Sequence, residues 1–155
     1  MARDAIVQAA KLRGTKKITN QDSMYADVLL VAARIAHEIM DGPGGLYICG
    51  GEPTVVLPKN PGQGGRNQAL ALELARHIID RNDIVGLVAG TDGTDGPTRA
   101  AGAFLDNNTY NKLPGAKEAQ RCANSSDYLS RSGDVLTTGP TGTNVMDLAI
   151  FQKFS

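Results

Sequence analysis

Between Asp22 and Asp41 the apolar side chains Val28, Val31, Ala32, Ile35 and Ile39 recur at helical spacing. Asp22 or Ser23 is placed to cap that helix, and Asp41-Gly42-Pro43 is a strong stop. The pattern then shortens. Leu46 to Cys49 and Thr54 to Leu57 are brief β-branched runs that predict two strands, separated by Gly50-Gly51-Glu52-Pro53. A loop over 58–65 leads into a second helix, about Arg66 to Asp80, with Leu70, Leu74, Ala75 and Ile78 inward. Asp83 to Ala89 is a continuous apolar run of the kind found in buried strands. Residues 90–102 are too rich in glycine for regular structure, and Ala103 to Leu105 is a brief strand. Two weak helical patterns fill 107–132, the second capped near Asn124-Ser125-Ser126. Val135 to Thr138 predicts a strand, Gly139 to Asn144 a turn, and Val145 to Phe154 a last strand in which Met146, Leu148 and Ile150 alternate.

Strands and helices interleave, so the expected class is α/β: a layered sandwich with a mixed, largely parallel sheet and helices on both faces. Residues 1–20 are polar apart from Ile6 to Ala10 and are expected to form an arm or short docking helix. Residues 21–155 then make the α/β domain. Its glycine loops fall at strand ends, where open α/β sheets bind ligands.

Composition narrows the functions. The 155 residues carry 16 Lys plus Arg against 16 Asp plus Glu, so no net charge draws nucleic acid or an anionic membrane. No apolar stretch reaches the length of a membrane span, and no apolar core follows the N-terminal bases as in a secretion signal. The expected location is cytoplasmic. Cys49 and Cys122 lie in no metal or redox spacing and are read as free thiols. His37 and His77 fall in predicted helices without a nucleophile at useful spacing, and are expected at the surface or boundary.

Three loops carry candidate chemistry. Gly62-Gln63-Gly64-Gly65-Arg66-Asn67-Gln68 opens a helix, which reads either as an anion site with an arginine fork or as a capped helix with a solvated Arg66. It is neither a Walker A loop nor GxGxxG. Gly90-Thr91-Asp92-Gly93-Thr94-Asp95-Gly96-Pro97-Thr98 places two carboxylates three residues apart, suited to a hard cation or to shaping a turn. Thr137 to Asn144 offers hydroxyls and amides to an anion, or makes a tight turn. Glu52 is a lone acid at a strand end.

Taken in order, Gly50-Gly51-Glu52-Pro53-Thr54-Val55, Gly64-Gly65-Arg66-Asn67-Gln68, Gly90 to Thr98 and Thr138 to Asn144 resemble the MOFRL family, the C-terminal domain of glycerate 2-kinases often labelled hydroxypyruvate reductases. The resemblance runs from about residue 28 to the end. It implies half of a cleft in which ATP, with Mg²⁺, phosphorylates the 2-hydroxyl of D-glycerate. On that pattern Arg66, Asp92 and Asp95 are the expected catalytic residues, with Asp92 and Asp95 holding the metal. Glu52, Gly64, Gly65, Asn67, Thr91, Thr94, Thr141, Thr143 and Asn144 are expected around substrate and phosphate. Ala69 stands where family members often carry Glu. The family's catalytic lysine belongs to an N-terminal domain absent from this chain, so the resemblance implies a chain inactive alone that pairs with that domain. The alternative is a stand-alone or self-associating binding module that kept the fold without catalysis.

Overall fold

The computed structural model describes residues 2–155. A first helix, α1 (Ala2–Leu12), precedes strand β1 (Ile18–Met24). Then follow α2 (Val28–Asp41), β2 (Gly45–Gly51), α3 (Arg66–His77), β3 (Ile84–Gly90) and β4 (Gly102–Leu105). A single 3-10 turn (Thr109–Asn111), α4 (Ala116–Arg121), α5 (Ser125–Ser132), β5 (Val135–Leu136) and β6 (Asp147–Lys153) complete the chain. The six strands form one mixed sheet in the order β1-β2-β6-β3-β4-β5.

Burial along β6 alternates, with Asp147, Ala149, Phe151 and Lys153 buried and Leu148, Ile150 and Gln152 only half-buried. That period of two separates the faces of the sheet. The buried face meets α2, α3 and α5 in a core of Ile35, Ile39, Leu70, Leu74, Tyr128, Leu129, Val88 and Phe151. Each such side chain contributes roughly 1.5–3 kcal/mol when removed from water. On the other face α1 packs against β1 and β2. There the buried Arg3 crosses Gly50, where a Cβ would collide with the arginine side chain. Arg3 also donates to Asn20 at 3.2 Å and pairs with Asp22 at 3.5 Å.

Lys153 ends β6 on the buried face. Its Nζ donates to the carbonyls of Ile39, Met40 and Gly42 at 2.9, 2.8 and 2.6 Å. A cation is thereby placed on the negative end of α2, whose last carbonyls lack helical partners.

The α/β class and the mixed sheet are as the pattern predicts, but the strand directions are mostly antiparallel. Only β1–β2 is parallel; β2–β6, β6–β3, β3–β4 and β4–β5 are antiparallel. The reason is β6, which returns between β2 and β3 and runs against both. Residues 18–24 form β1, so the strand crosses the position at which composition divided an arm from the domain. Asp22 and Ser23 lie within that strand, and Asp27 caps α2 instead by accepting from the Leu29 N–H at 2.9 Å. The expected strand over 54–57 reduces to one bridge between Thr54 and Asp27. Val55 is half-buried against the core, whereas Val56 and Leu57 are exposed and pair with no strand. Helix α3 ends at His77 rather than Asp80. Both cysteines are free, and burial pushes the Cys49 thiol up to about 11. Among the described residues no helix is long and apolar enough to cross a membrane.

Candidate functional site

The site is built where β2 and β3 end and β6 begins. Register pairs Gly51 of β2 and Gly90 of β3 with the same residue, Asp147, so its buried carboxylate sits between the two strand ends. Arg66 is the first residue of α3 and points to this place. Its Nε donates to Asp147 Oδ2 at 2.5 Å, and its Nη1 lies 3.1 Å from Glu52 Oε1 just beyond β2. Asn67 Nδ2 donates to the other Asp147 oxygen at 3.1 Å. The Arg66 side chain remains 39% exposed and Glu52 65%, whereas Asp147 is only 5% exposed. Burial works against the guanidinium charge, but the two carboxylates more than offset it and hold the Arg66 pKa above its ordinary value.

Asp95 approaches α3 from below. Its carboxylate accepts from the backbone N–H of Asn67 and of Gln68, at 2.9 and 2.8 Å, and from Gln68 Nε2 at 3.0 Å. Gln68 Nε2 also donates to Thr98 Oγ1 at 3.0 Å, and that hydroxyl donates to the Asp95 carbonyl at 2.8 Å. The positive end of α3 is therefore occupied by an acid of the protein itself. Burial raises the Asp95 pKa against the lowering effect of its hydrogen bonds, and the Asp147 charge adds to the rise. Gly65 is required here, because a Cβ would strike the Asp95 carboxyl group. Gly64 lies against Ser125. The buried Asn67 Oδ1 and Gln68 Oε1 accept no hydrogen bond, so the polar centre is incompletely satisfied.

A second cluster adjoins the first. Thr91 Oγ1 accepts from the N–H of Val145 and Met146 at 3.0 and 3.2 Å, and Thr141 Oγ1 donates to the Thr91 carbonyl at 2.5 Å. The Thr141 N–H donates to the Asp92 carbonyl at 3.2 Å. Asp92 turns both oxygens onto Thr94, accepting from its N–H at 2.9 Å and its hydroxyl at 3.0 Å. Thr143 and Asn144 are exposed on the same loop.

The geometry thus brings Glu52, Arg66, Asn67 and Asp95 to one centre, and Thr91, Asp92, Thr94 and Thr141 to its neighbour. The carboxylates of Asp92 and Asp95 are each engaged by their own surroundings. Asp95 caps a helix, and Asp92 folds onto its own turn. Among the described residues no three His, Cys, Asp or Glu side chains are grouped to hold a metal ion. At the start of α3 the backbone N–H groups of Asn67 and Gln68 donate to Asp95.

Asp147 is the residue that sequence reasoning missed. The alternation of Met146, Leu148 and Ile150 draws the eye to the wrong phase of β6. Shifted by one residue, the buried set becomes Ala149 and Phe151, with an acid in line at 147.

An α/β domain with a half-exposed arginine clamped by two acids at the strand ends is the class that fold and site define. A profile of the MOFRL family matches residues 45–147, and the chain belongs to that family. It is 36% identical over 159 residues to the glycerate 2-kinase of Pyrococcus horikoshii, covering 95% of this chain and 36% of that protein. Over 107 residues it is 50% identical to the D-glycerate 2-kinase of Thermotoga maritima, covering 66% of this chain and 25% of the relative. The crystal structure of Thermotoga maritima glycerate kinase superposes with a TM-score of 0.87 at 34% identity, over 95% of this chain and 38% of that one. The chain thus spans between 25% and 38% of the length of these relatives.

Proposed function

We propose that this chain is the C-terminal domain of a glycerate 2-kinase-like protein and supplies one wall of a phosphoryl-transfer site, ATP to D-glycerate. The observation that carries the reading is the Arg66 clamp. Asp147 is buried and Glu52 is exposed, so the two carboxylates are not equivalent holds. An arriving phosphoryl group or substrate carboxylate displaces Glu52 from Nη1, while Asp147 keeps Nε and fixes the plane of the fork. The freed donors then meet charge on the transferred group, and positioned charge of this kind is most of what phosphoryl transfer requires.

Asp95 acts at one remove, holding the first turn of α3 and with it Arg66. Gly64, Gly65, Thr141, Thr143 and Asn144 line the loops beside the clamp. Asp92 accepts from Thr94 and Asp95 from the first turn of α3, so both carboxylates act here by holding the protein's own loops. The guanidinium of Arg66 is shared by Glu52 and Asp147, so an arriving anion competes with Glu52 for it. The remaining part of the enzyme supplies the balancing cations and covers the exposed Leu29, Leu30, Val56 and Leu57.

The test is isothermal titration of the chain with Mg²⁺-ATP and, separately, with D-glycerate, repeated with Arg66→Ala. Binding that the substitution abolishes is the expected result. Binding unaffected by Arg66→Ala sinks the clamp, and glycerate turnover by the pure chain sinks its dependence on a second part.

A further inference from the structure

The sheet face that carries α1 is covered on one side and open on the other. Register sets Ile48, Ile150, Leu87 and Phe104 in one row across β2, β6, β3 and β4. Residues directly opposite one another share a face, so the row is a continuous apolar band. Helix α1 packs on β1 and β2 and covers only its beginning. Ile48 is 0% exposed, Ile150 and Leu87 are half-buried, and Phe104 is 47% exposed. Val85, beside the row on β3, is 40% exposed. Between them lies a shallow depression of about 370 Å³. A helix is about 10–12 Å across, which is the width of two or three strands, so one helix cannot cover this sheet.

The helix itself has an apolar side turned away from the sheet. Arg3 and Ala10 are buried beneath it, with Ile6 and Val7 half-buried. Ala5, Ala9 and Leu12 are spaced i, i+4 and i+7, so they share the opposite face, and all three are exposed. Leu12 is 88% exposed. Apolar positions on two opposite sides are what a helix between two sheets requires.

Charge selects how a second sheet would lie. At the end of the sheet where β1 starts, the exposed Lys16 and Lys17 adjoin the covered side, and the Lys17 carbonyl accepts from the Leu46 N–H at 2.9 Å. At the same end of the open side, Asp106 follows β4 and Asp134 precedes β5, its carbonyl accepting from the Phe104 N–H at 2.8 Å. A two-fold axis parallel to the strands, between two facing copies, keeps this end level and exchanges the sides. It sets the lysines of each copy over the aspartates of the other, and α1 of each over the other's β3 and β4. An axis across the strands leaves both sets of charges unmatched.

We propose that a second copy of this chain covers the open sheet face, the two α1 helices lying side by side between the two sheets. This interface is separate from the Arg66 clamp and from the exposed Leu29, Leu30, Val56 and Leu57, and it does not depend on the phosphoryl-transfer reading.

Sedimentation equilibrium of the whole chain tests it, with far-UV circular dichroism to verify that each variant folds. The expected species is a dimer. Phe104→Lys on the open face weakens dimerisation at least about tenfold, and so does Ala9→Lys on the outer side of α1. Lysine is a good helix former, and Ala9 is exposed within one copy, so Ala9→Lys leaves the monomer intact. Val56→Lys, on the other apolar surface, leaves the dimer unchanged. A monomeric chain overturns the proposal and assigns the face to another part of a longer protein. A dimer that survives either Phe104→Lys or Ala9→Lys, or that dissociates in Val56→Lys, also overturns it.

Discussion

Strand β6 carries a buried ionisable side chain at each end, and the two ends are built differently. At its start, Asp147 holds Arg66, a half-exposed cation that also touches an exposed acid. At its finish, Lys153 holds three backbone carbonyls at the end of α2. Carbonyls of a helix end cannot leave, so the lysine is a fixed part of the frame. The guanidinium can trade Glu52 for another anion. A buried charge with a backbone partner is architecture, and one whose partner is an exposed side chain is equipment for binding.

The contrast breaks most readily through the residue that braces the site end. Asp95→Ala strips three buried donors at α3 of their shared acceptor and is expected to cost about 3–5 kcal/mol in urea unfolding. A cost under about 1 kcal/mol would mean that the first turn of α3 does not depend on this cap. Lys153→Met is expected to cost about 2–3 kcal/mol, because it strips the donor from the α2 terminus. Binding at Arg66 stays unchanged in that variant, and a loss of binding would erase the difference between the two ends.

Arg66→Ala is smaller in stability, about 1 kcal/mol, since Asn67 still donates to Asp147 and the arginine is half exposed. Its larger effect is on ligand titration, and Arg66→Lys does not restore binding because an ammonium lacks the fork. The smallest effect is one of pH. The Asp95 pKa is raised in the folded chain, so between the unfolded value near about 3.9 and the folded one the native state holds the extra proton. Stability contributed by that proton is present below the window and lost as pH rises through it. The slope measured by denaturation across this range disappears in Asp95→Asn.

Much of this arrangement was legible in the sequence, for reasons that also mark where legibility ended. Helical spacing located α2 and α3 because their inner faces are long and apolar. The glycine loops were legible because close approach leaves no alternative residue, as at Gly65 beneath Asp95. The order of the loops pointed to the centre holding Glu52, Arg66, Asn67 and Asp95. Strand direction was not legible, because local pattern does not say that β6 enters the middle of the sheet. The same silence hid Asp147, whose partner lies 81 residues earlier in the chain. Asp92 and Asp95 share a motif, yet only the fold shows that one serves a turn and the other a helix.

The place of β6 also sets a timetable for assembly. Strands β2 and β3 are neighbours in sequence order but never touch, because the strand that joins them is the last of the six to be made. Until residues 147–153 emerge, a growing chain holds two half-sheets with open edges and a charge centre without its buried acid. Folding and completion of the binding centre are therefore one late event, driven by contacts of long sequence separation and correspondingly slow. A nascent chain stalled before Asp147 would expose two strand edges and depend on chaperones to stay apart from its neighbours.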